Sequence, residues 1–184
     1  MTPIQLTEGT GLLVIDVQDR LMSAMPEDSS HDFLKHNRLL VSLAGDMGAP
    51  VVYTEQYPDG LGSTEDSLAE VLRQADADRI EKTQFDACHA PDSDAIGELP
   101  REVIVTGIEA HICVLSTARS LIDAGHSVAI PFDAVLSRRK RYMDNGLDLL
   151  REAGAHVTNT ETILYETLGS SDHELFKKYS RLIR

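Results

Sequence analysis

Short apolar, β-rich runs alternate with longer amphipathic stretches along most of this chain, and no other feature constrains its fold as tightly. The runs are Gly11–Val17, Pro50–Thr54, Arg79–Lys82 (the weakest), Glu102–Thr106, Ser127–Pro131 and Ala155–Asn159. Between them lie segments with helical spacing. His31–Met47 puts Phe33, Leu34, Asn37, Leu40, Val41 and Ala44 on one face and ends at Gly48, where a left-handed residue closes a helix. Ser63–Gln74 opens on a Ser63-Thr64-x-Asp66 capping pattern and carries Leu68, Val71, Leu72 and Ala75 at helical spacing. A third such segment runs from just after Gly107 to Ala124, and Ser137 is placed to cap a fourth that ends at Ala153. Crossovers of a dozen or more residues are what parallel pairing requires, and they turn right-handed. The expected fold is α/β: a three-layer α/β/α sandwich on a doubly wound, six-stranded parallel sheet, Rossmann-like in layout. Its functional crevice belongs at the carboxyl ends of the strands. No linker, repeat or break in composition divides the chain, so one domain is expected over residues 1–184.

Charge narrows the partners. The chain carries 17 Lys and Arg against 30 Asp and Glu, a net charge of −13. An acidic surface repels a phosphate backbone, which argues against nucleic acid as a partner. The basic run Arg138-Arg139-Lys140-Arg141 reads either as a solvated helix start or as a contact for an acidic neighbouring subunit. No apolar run approaches the ~20 residues needed to span a bilayer, and the first residues show no basic-then-apolar leader. Two cysteines 25 residues apart form no CxxC pair, which suits a reducing compartment. A cytoplasmic location without membrane partners is the expectation. GxGxxG, GxxxxGK[ST], HExxH and GxSxG are absent, so no nucleotide or other cofactor is called for.

The crevice rule then gathers three residues. Asp16 ends the first run, Lys82 ends the third, and Cys113 stands on the first turn of the helix after the fourth. A thiol can attack, a carboxylate can take and return its proton, and an ammonium can orient that carboxylate. The start of a helix lends a cysteine thiolate character and offers spare N–H groups to a developing oxyanion. Taken singly each residue has a plain alternative. An Asp at a strand end is commonly a turn residue, a Lys there is commonly solvated, and a Cys among Ile112, Val114 and Leu115 is commonly core.

Leu13-Val14-Ile15-Asp16-Val17-Gln18, Glu81-Lys82-Thr83-Gln84-Phe85 and Val105-Thr106-Gly107-Ile108-Glu109-Ala110-His111-Ile112-Cys113-Val114 resemble the three signature blocks of the isochorismatase-like cysteine hydrolases. Tyr53-Thr54-Glu55-Gln56-Tyr57-Pro58 with Gly60-Leu61-Gly62, and Asp133-Ala134-Val135-Leu136-Ser137-Arg138, extend the likeness to roughly residues 10–170 and toward the isochorismatase-domain-containing subgroup. The resemblance implies that subgroup's fold and a Cys-Asp-Lys triad. Asp16 would be base and then acid, Lys82 would orient it, and Cys113 would form a thioester. It also implies a cis peptide at Ile108–Glu109 and an oxyanion hole from the N–H groups of Glu109 and Cys113. Gln18 and Gln56 in the matched blocks, with Tyr57, Leu61, Phe85 and Ile112, are the candidate substrate contacts. The nicotinamidase branch holds a metal through an Asp-x-His block, which here reads Thr54-Glu55-Gln56-Tyr57, so no metal is expected.

The reaction expected is metal-independent hydrolysis of a small amide or related carbonyl compound by a homo-oligomer, a dimer or larger. Two other readings stay open: a binding or interaction protein on the same scaffold, and hydrolysis of a vinyl ether. A thiol sensor pairing Cys113 with Cys88 would need the two sulfurs within disulfide reach. The Glu109 carboxylate either lies at the mouth of the site, favouring a cationic or neutral substrate, or points to solvent. His111 is either a proton shuttle or a surface histidine.

Overall fold

The computed structural model describes residues 4–183. Its elements are β1 (Thr10–Ile15), α1 (Asp19–Met22), α2 (Glu27–Asp46), β2 (Val51–Gln56), α3 (Pro58–Leu61), α4 (Asp66–Gln74), β3 (Asp78–Lys82), α5 (Asp94–Gly97), β4 (Glu102–Ile108), α6 (Cys113–Asp123), β5 (Ser127–Pro131), β6 (Val135–Leu136), α7 (Lys140–Glu152), β7 (His156–Thr158), α8 (Thr160–Leu168) and α9 (Phe176–Leu182). The strands lie in the order β3-β2-β1-β4-β5-β7, with β6 beside the end of β4, and every pair is parallel. Helices cover both faces, giving the three-layer α/β/α arrangement.

Apolar alternation along the strands feeds two cores. Leu12 and Val14 of β1 face Leu40, Leu43, Leu68, Ile163 and Leu164, while Leu13 and Ile15 join Val114, Ala118, Leu121, Leu147 and Leu150 on the other side. Each such side chain removed from water contributes roughly 1.5–3 kcal/mol. The two central strands also touch closely. Gly107 of β4 has φ +108, and a Cβ there would stand 2.1 Å from the Ile15 carbonyl oxygen, so only glycine fits.

Boundaries moved where side chains found other partners. α2 begins at Glu27 rather than His31, because Pro26 already holds a helix-entry φ of −63°. α4 is capped by the Glu65 side chain, which accepts from the Leu68 N–H, and not by Ser63 or Thr64; the Thr64 N–H and hydroxyl both donate to Glu55. Ser137 does not cap α7, since its hydroxyl pairs with His111 Nδ1 at 3.0 Å. The two-residue β6 adds a strand to the expected six by pairing with Gly107 and Ile108.

Near the C-terminus, α9 is tied to the end of α2. Asp46 is the last residue of α2, where the helix dipole disfavours a negative charge. Lys178 Nζ and the Tyr179 hydroxyl donate to it at 2.5 and 2.7 Å. Burial alone would raise the Asp46 carboxyl, but the Lys178 and Tyr179 hydrogen bonds and the Lys178 charge together hold it below its usual 3.8. A carboxyl depressed in the folded state stabilises above its unfolded value and loses that contribution as pH falls through the folded value. Asp46→Asn is therefore expected to lower stability by about 1–2 kcal/mol at neutral pH, with the deficit shrinking below about pH 4. Urea melts at pH 7 and pH 3 measure it; equal deficits at both would mean that the charge contributes nothing.

Candidate active site

The chain leaves β1 at Asp16, whose φ of +52 turns it off the sheet at the carboxyl end. Its N–H donates to the Thr54 carbonyl at 3.1 Å and to Thr54 Oγ1 at 3.2 Å. The Thr54 hydroxyl returns a hydrogen bond to Asp16 Oδ1 at 2.5 Å. At the end of β3, Lys82 Nζ donates to Asp16 Oδ2 at 2.7 Å, to Gln56 Oε1 at 2.7 Å and to the Gln84 carbonyl at 3.2 Å. All three ammonium hydrogens are thereby used. Both side chains of this ion pair are 0% exposed.

Cys113 opens α6, and its thiol lies where the Asp16 and Lys82 charges both act on it. The structure thus brings Asp16, Lys82 and Cys113 into one cluster. It reverses one expectation about the thiol. Burial first, and then the Asp16 charge, push Cys113 up to about 12, while Lys82 pulls the other way. The start of α6 does not offset burial beside a carboxylate, so the resting sulfur is a neutral thiol and not the thiolate its position suggested. The Ile108–Glu109 peptide bond is cis. Among the described residues, neither the Glu109 N–H nor the Cys113 N–H donates to another group.

Other placements correct the sequence reading. Glu109 does not point to solvent: it is buried, and its carboxylate accepts the Arg138 N–H at 2.9 Å. Gln18 is buried and its amide is spent on the backbone, donating to the Gln56 and Gly62 carbonyls and accepting the Gln56 N–H. It clasps the loop and has no donor left for a substrate. The Gln56 amide is turned to Lys82 and the Thr83 carbonyl, so it holds the ammonium.

Tyr57 and Phe85 do not wall a closed pocket but stand 55% and 61% exposed, with Leu61 and Ile112 half-buried. Both aromatics nevertheless adjoin, along the chain, residues that hold the cluster. The Tyr57 N–H donates to the Lys82 carbonyl, and its ring covers Gly60, where a Cβ would clash. Phe85 lies between Gln84, which holds Lys82, and Ala87, whose N–H donates to Thr117 one turn along α6 from Cys113.

His111 pairs with Ser137 and stacks on Tyr142 with ring centroids 5.0 Å apart, a surface arrangement rather than a shuttle to Asp16. In the basic run, Lys140 pairs with Asp144 and Arg141 lies over the Tyr142 ring. Cys88 is a separate free thiol, half-buried, with its sulfur 3.9 Å from the Thr117 carbonyl. Thr54 is the residue sequence reasoning missed. It stands in the quoted Thr54-Glu55-Gln56 block, but the strand register that sets it beside Ile15 and Asp16 is not written in the chain.

Where the metal-holding branch has its Asp-x-His block, Glu55 has one oxygen taken by Thr64 and the other by Arg79. The neighbouring Gln56 is engaged with Lys82, so these residues do not fit a metal. Among the described residues no three His, Cys, Asp or Glu side chains gather into a metal-binding group. Among them, too, no helix is long and apolar enough to cross a membrane.

Comparison with known proteins adds a lineage to this geometry. A family model described as the isochorismatase domain matches residues 10–162. Isochorismatase family protein 1A of Dictyostelium discoideum is 29% identical over 180 residues, covering 94% of this chain and 85% of that protein. Isochorismatase domain-containing protein 2 of Bos taurus is 33% identical over 156 residues, covering 80% and 74%. Among solved structures, one described as the MAR1 ribonuclease from Caenorhabditis elegans is similar with a TM-score of 0.88 and 34% identity, covering 99% of this chain and 92% of that one.

Proposed function

We propose that this chain, which belongs to the isochorismatase family, hydrolyses a small amide or related carbonyl compound through Cys113, with Asp16 as base and Lys82 holding that base in place. The observation that carries the reading is the Lys82–Asp16 ion pair, 2.7 Å long and wholly out of solvent, whose charges reach the Cys113 thiol at the start of α6. Burying two charges is costly to a fold even when they meet, so the pair is poor value as a structural element alone. It suits a base held in place beside an un-ionised nucleophile.

The steps follow from the contacts. As Cys113 Sγ attacks the carbonyl carbon, its proton passes to the Asp16 carboxylate. The carbonyl oxygen gains the charge and is met by the uncommitted N–H groups of Glu109 and Cys113. The tetrahedral adduct collapses, the C–N bond breaks, and the departing amine takes the proton from Asp16. Water then attacks the thioester while Asp16 takes its proton, the acid leaves, and the proton returns to sulfur. General-base help of this kind contributes roughly 10²–10⁴ in rate, and an oxyanion donor roughly 10²–10³. No step calls for a metal, and the side chains at 54–57 offer no ligand set for one.

The burial of Cys113 favours one competing reading, a binding protein on the same scaffold whose thiol is structural. Both are tested by incubating wild type and Cys113→Ala with a panel of primary amides, N-carbamoyl compounds and activated esters. Turnover of at least one by wild type, abolished in a Cys113→Ala protein of unchanged circular dichroism, is expected. Turnover that survives in Cys113→Ala would remove the thioester, and no turnover of any member would favour the binding protein. Because the Caenorhabditis elegans relative is described as a ribonuclease, RNA belongs on the panel. Cleavage of RNA alone would overturn the small-substrate reading, against which the net charge of −13 stands.

A further inference from the structure

Asp16 has three neighbours, and only two of them are accounted for by a nucleophile and an ammonium. The third is the Thr54 hydroxyl, 1% exposed, on Asp16 Oδ1. We propose that Thr54 is a positioning residue for the reaction at Cys113: it fixes the plane of the Asp16 carboxylate so that a lone pair stays aimed at the thiol. The inference rests on the reading of Cys113 as nucleophile and Asp16 as its base.

A carboxylate on a short side chain turns easily about its last bond. Lys82 cannot stop that by itself, because an ammonium is a compact charge with rotating donors and little directional demand. A hydroxyl on the other oxygen can. With Thr54 on Oδ1 and Lys82 on Oδ2, both oxygens are tethered and the plane has no freedom left. Thr54 Oγ1 also receives the Asp16 N–H, so one atom grips the residue at both its backbone and its carboxylate. That matters at a left-handed φ of +52, a sparsely populated backbone region that a second tether helps to hold. The hydroxyl is not needed by the strand itself: β2 already contains Val51 and Val52, and a valine would pack and pair as well at position 54. The groups facing Asp16 are Lys82 from β3, Thr54 from β2 and Cys113 from α6, with the Glu109 carboxylate also acting on the thiol.

The test needs no substrate. Iodoacetamide labelling of Cys113 is followed by mass spectrometry between pH 7 and pH 10 in wild type, Thr54→Val, Thr54→Ser and Asp16→Asn. Wild type is expected to label slowly, its rate still climbing about tenfold per pH unit at the top of the range. Asp16→Asn is expected to label faster, its rate bending away from the tenfold climb at a lower pH than in wild type. If Thr54 aims the carboxylate, Thr54→Val frees it to turn away and moves part of the way toward Asp16→Asn, labelling about threefold or more faster at pH 8, with an earlier bend. Thr54→Ser keeps the hydroxyl and restores the wild-type profile. A loosened fold would instead raise the rate at every pH without bending the profile, would speed Cys88 as well, and would overturn the proposal. A Thr54→Val profile equal to wild type, with Asp16→Asn altered, overturns Thr54 and leaves the base standing. An Asp16→Asn profile equal to wild type overturns both.

Discussion

Lys82→Met is expected to destabilise the protein by about 3–5 kcal/mol, one of the largest effects available from a single side chain here. Methionine has nearly the volume of lysine, so little cavity opens. What is lost is the cation that, among the described residues, pairs with a carboxylate having no solvent exposure at all. The Gln56 carbonyl oxygen and the Gln84 carbonyl lose their donor at the same time. The double variant Asp16→Asn/Lys82→Met separates charge from packing. Neutralising both members of a buried pair is often close to harmless, whereas removing one strands the other. The double variant is expected to be more stable than Lys82→Met alone, giving a coupling of more than ~2 kcal/mol in a urea double-mutant cycle. Additive losses would mean that the pair is not coupled in the way its 2.7 Å contact implies.

Asp16→Asn carries the second large effect, and it runs in opposite directions for reactivity and for turnover. Asparagine keeps the shape but cannot accept a proton, so hydrolysis of whichever panel substrate wild type turns over is expected to fall about 10³-fold. The thiol, however, is released. Burial first, and then the Asp16 charge, hold Cys113 up to about 12 against the pull of Lys82. With that charge gone, the Lys82 ammonium remains beside the sulfur and favours its anion. Alkylation at pH 8 is expected to rise at least about tenfold. A more reactive thiol in a dead enzyme is the signature of a base that waits for substrate. Parallel losses of labelling and turnover would instead point to a thiol that Asp16 keeps ionised, contrary to the charges around it.

The fold was readable wherever a residue's chemistry is local. Gly48 is legible as a helix stop, and it stands just past α2 with a positive φ. The tips that bear Asp16, Lys82 and Cys113 could be placed because parallel crossovers send such tips to one edge. What stayed hidden depends on register or on competition between partners. β6 is two residues long, too short for any periodicity, yet it flanks Gly107 and Ile108. Thr54 looks like any strand threonine until β2 is set beside β1. Whether Glu109 meets the site's mouth or solvent is open in the sequence, because nothing there announces that the Arg138 N–H will be 2.9 Å from its carboxylate. Gln18 and Gln56 carry the right groups for a substrate, but each is claimed first by a neighbour. The thiol was misjudged for the same kind of reason. A helix start is visible in a sequence, but the dryness around it is not.

The order of the strands along the chain has a consequence for synthesis. Asp16 and Lys82 are 66 residues apart, and the nucleophile arrives later still, on the helix after β4. β4 pairs with β1 down the middle of the sheet, so no partial sheet made from the first three strands contains a complete cluster. As the polypeptide emerges from the ribosome at roughly 5–20 residues per second, the acid and the ammonium can meet before the sulfur exists. The nascent chain therefore carries no assembled nucleophile until its central strand has been inserted beside the first, and chemical competence comes only with the closing of the sheet.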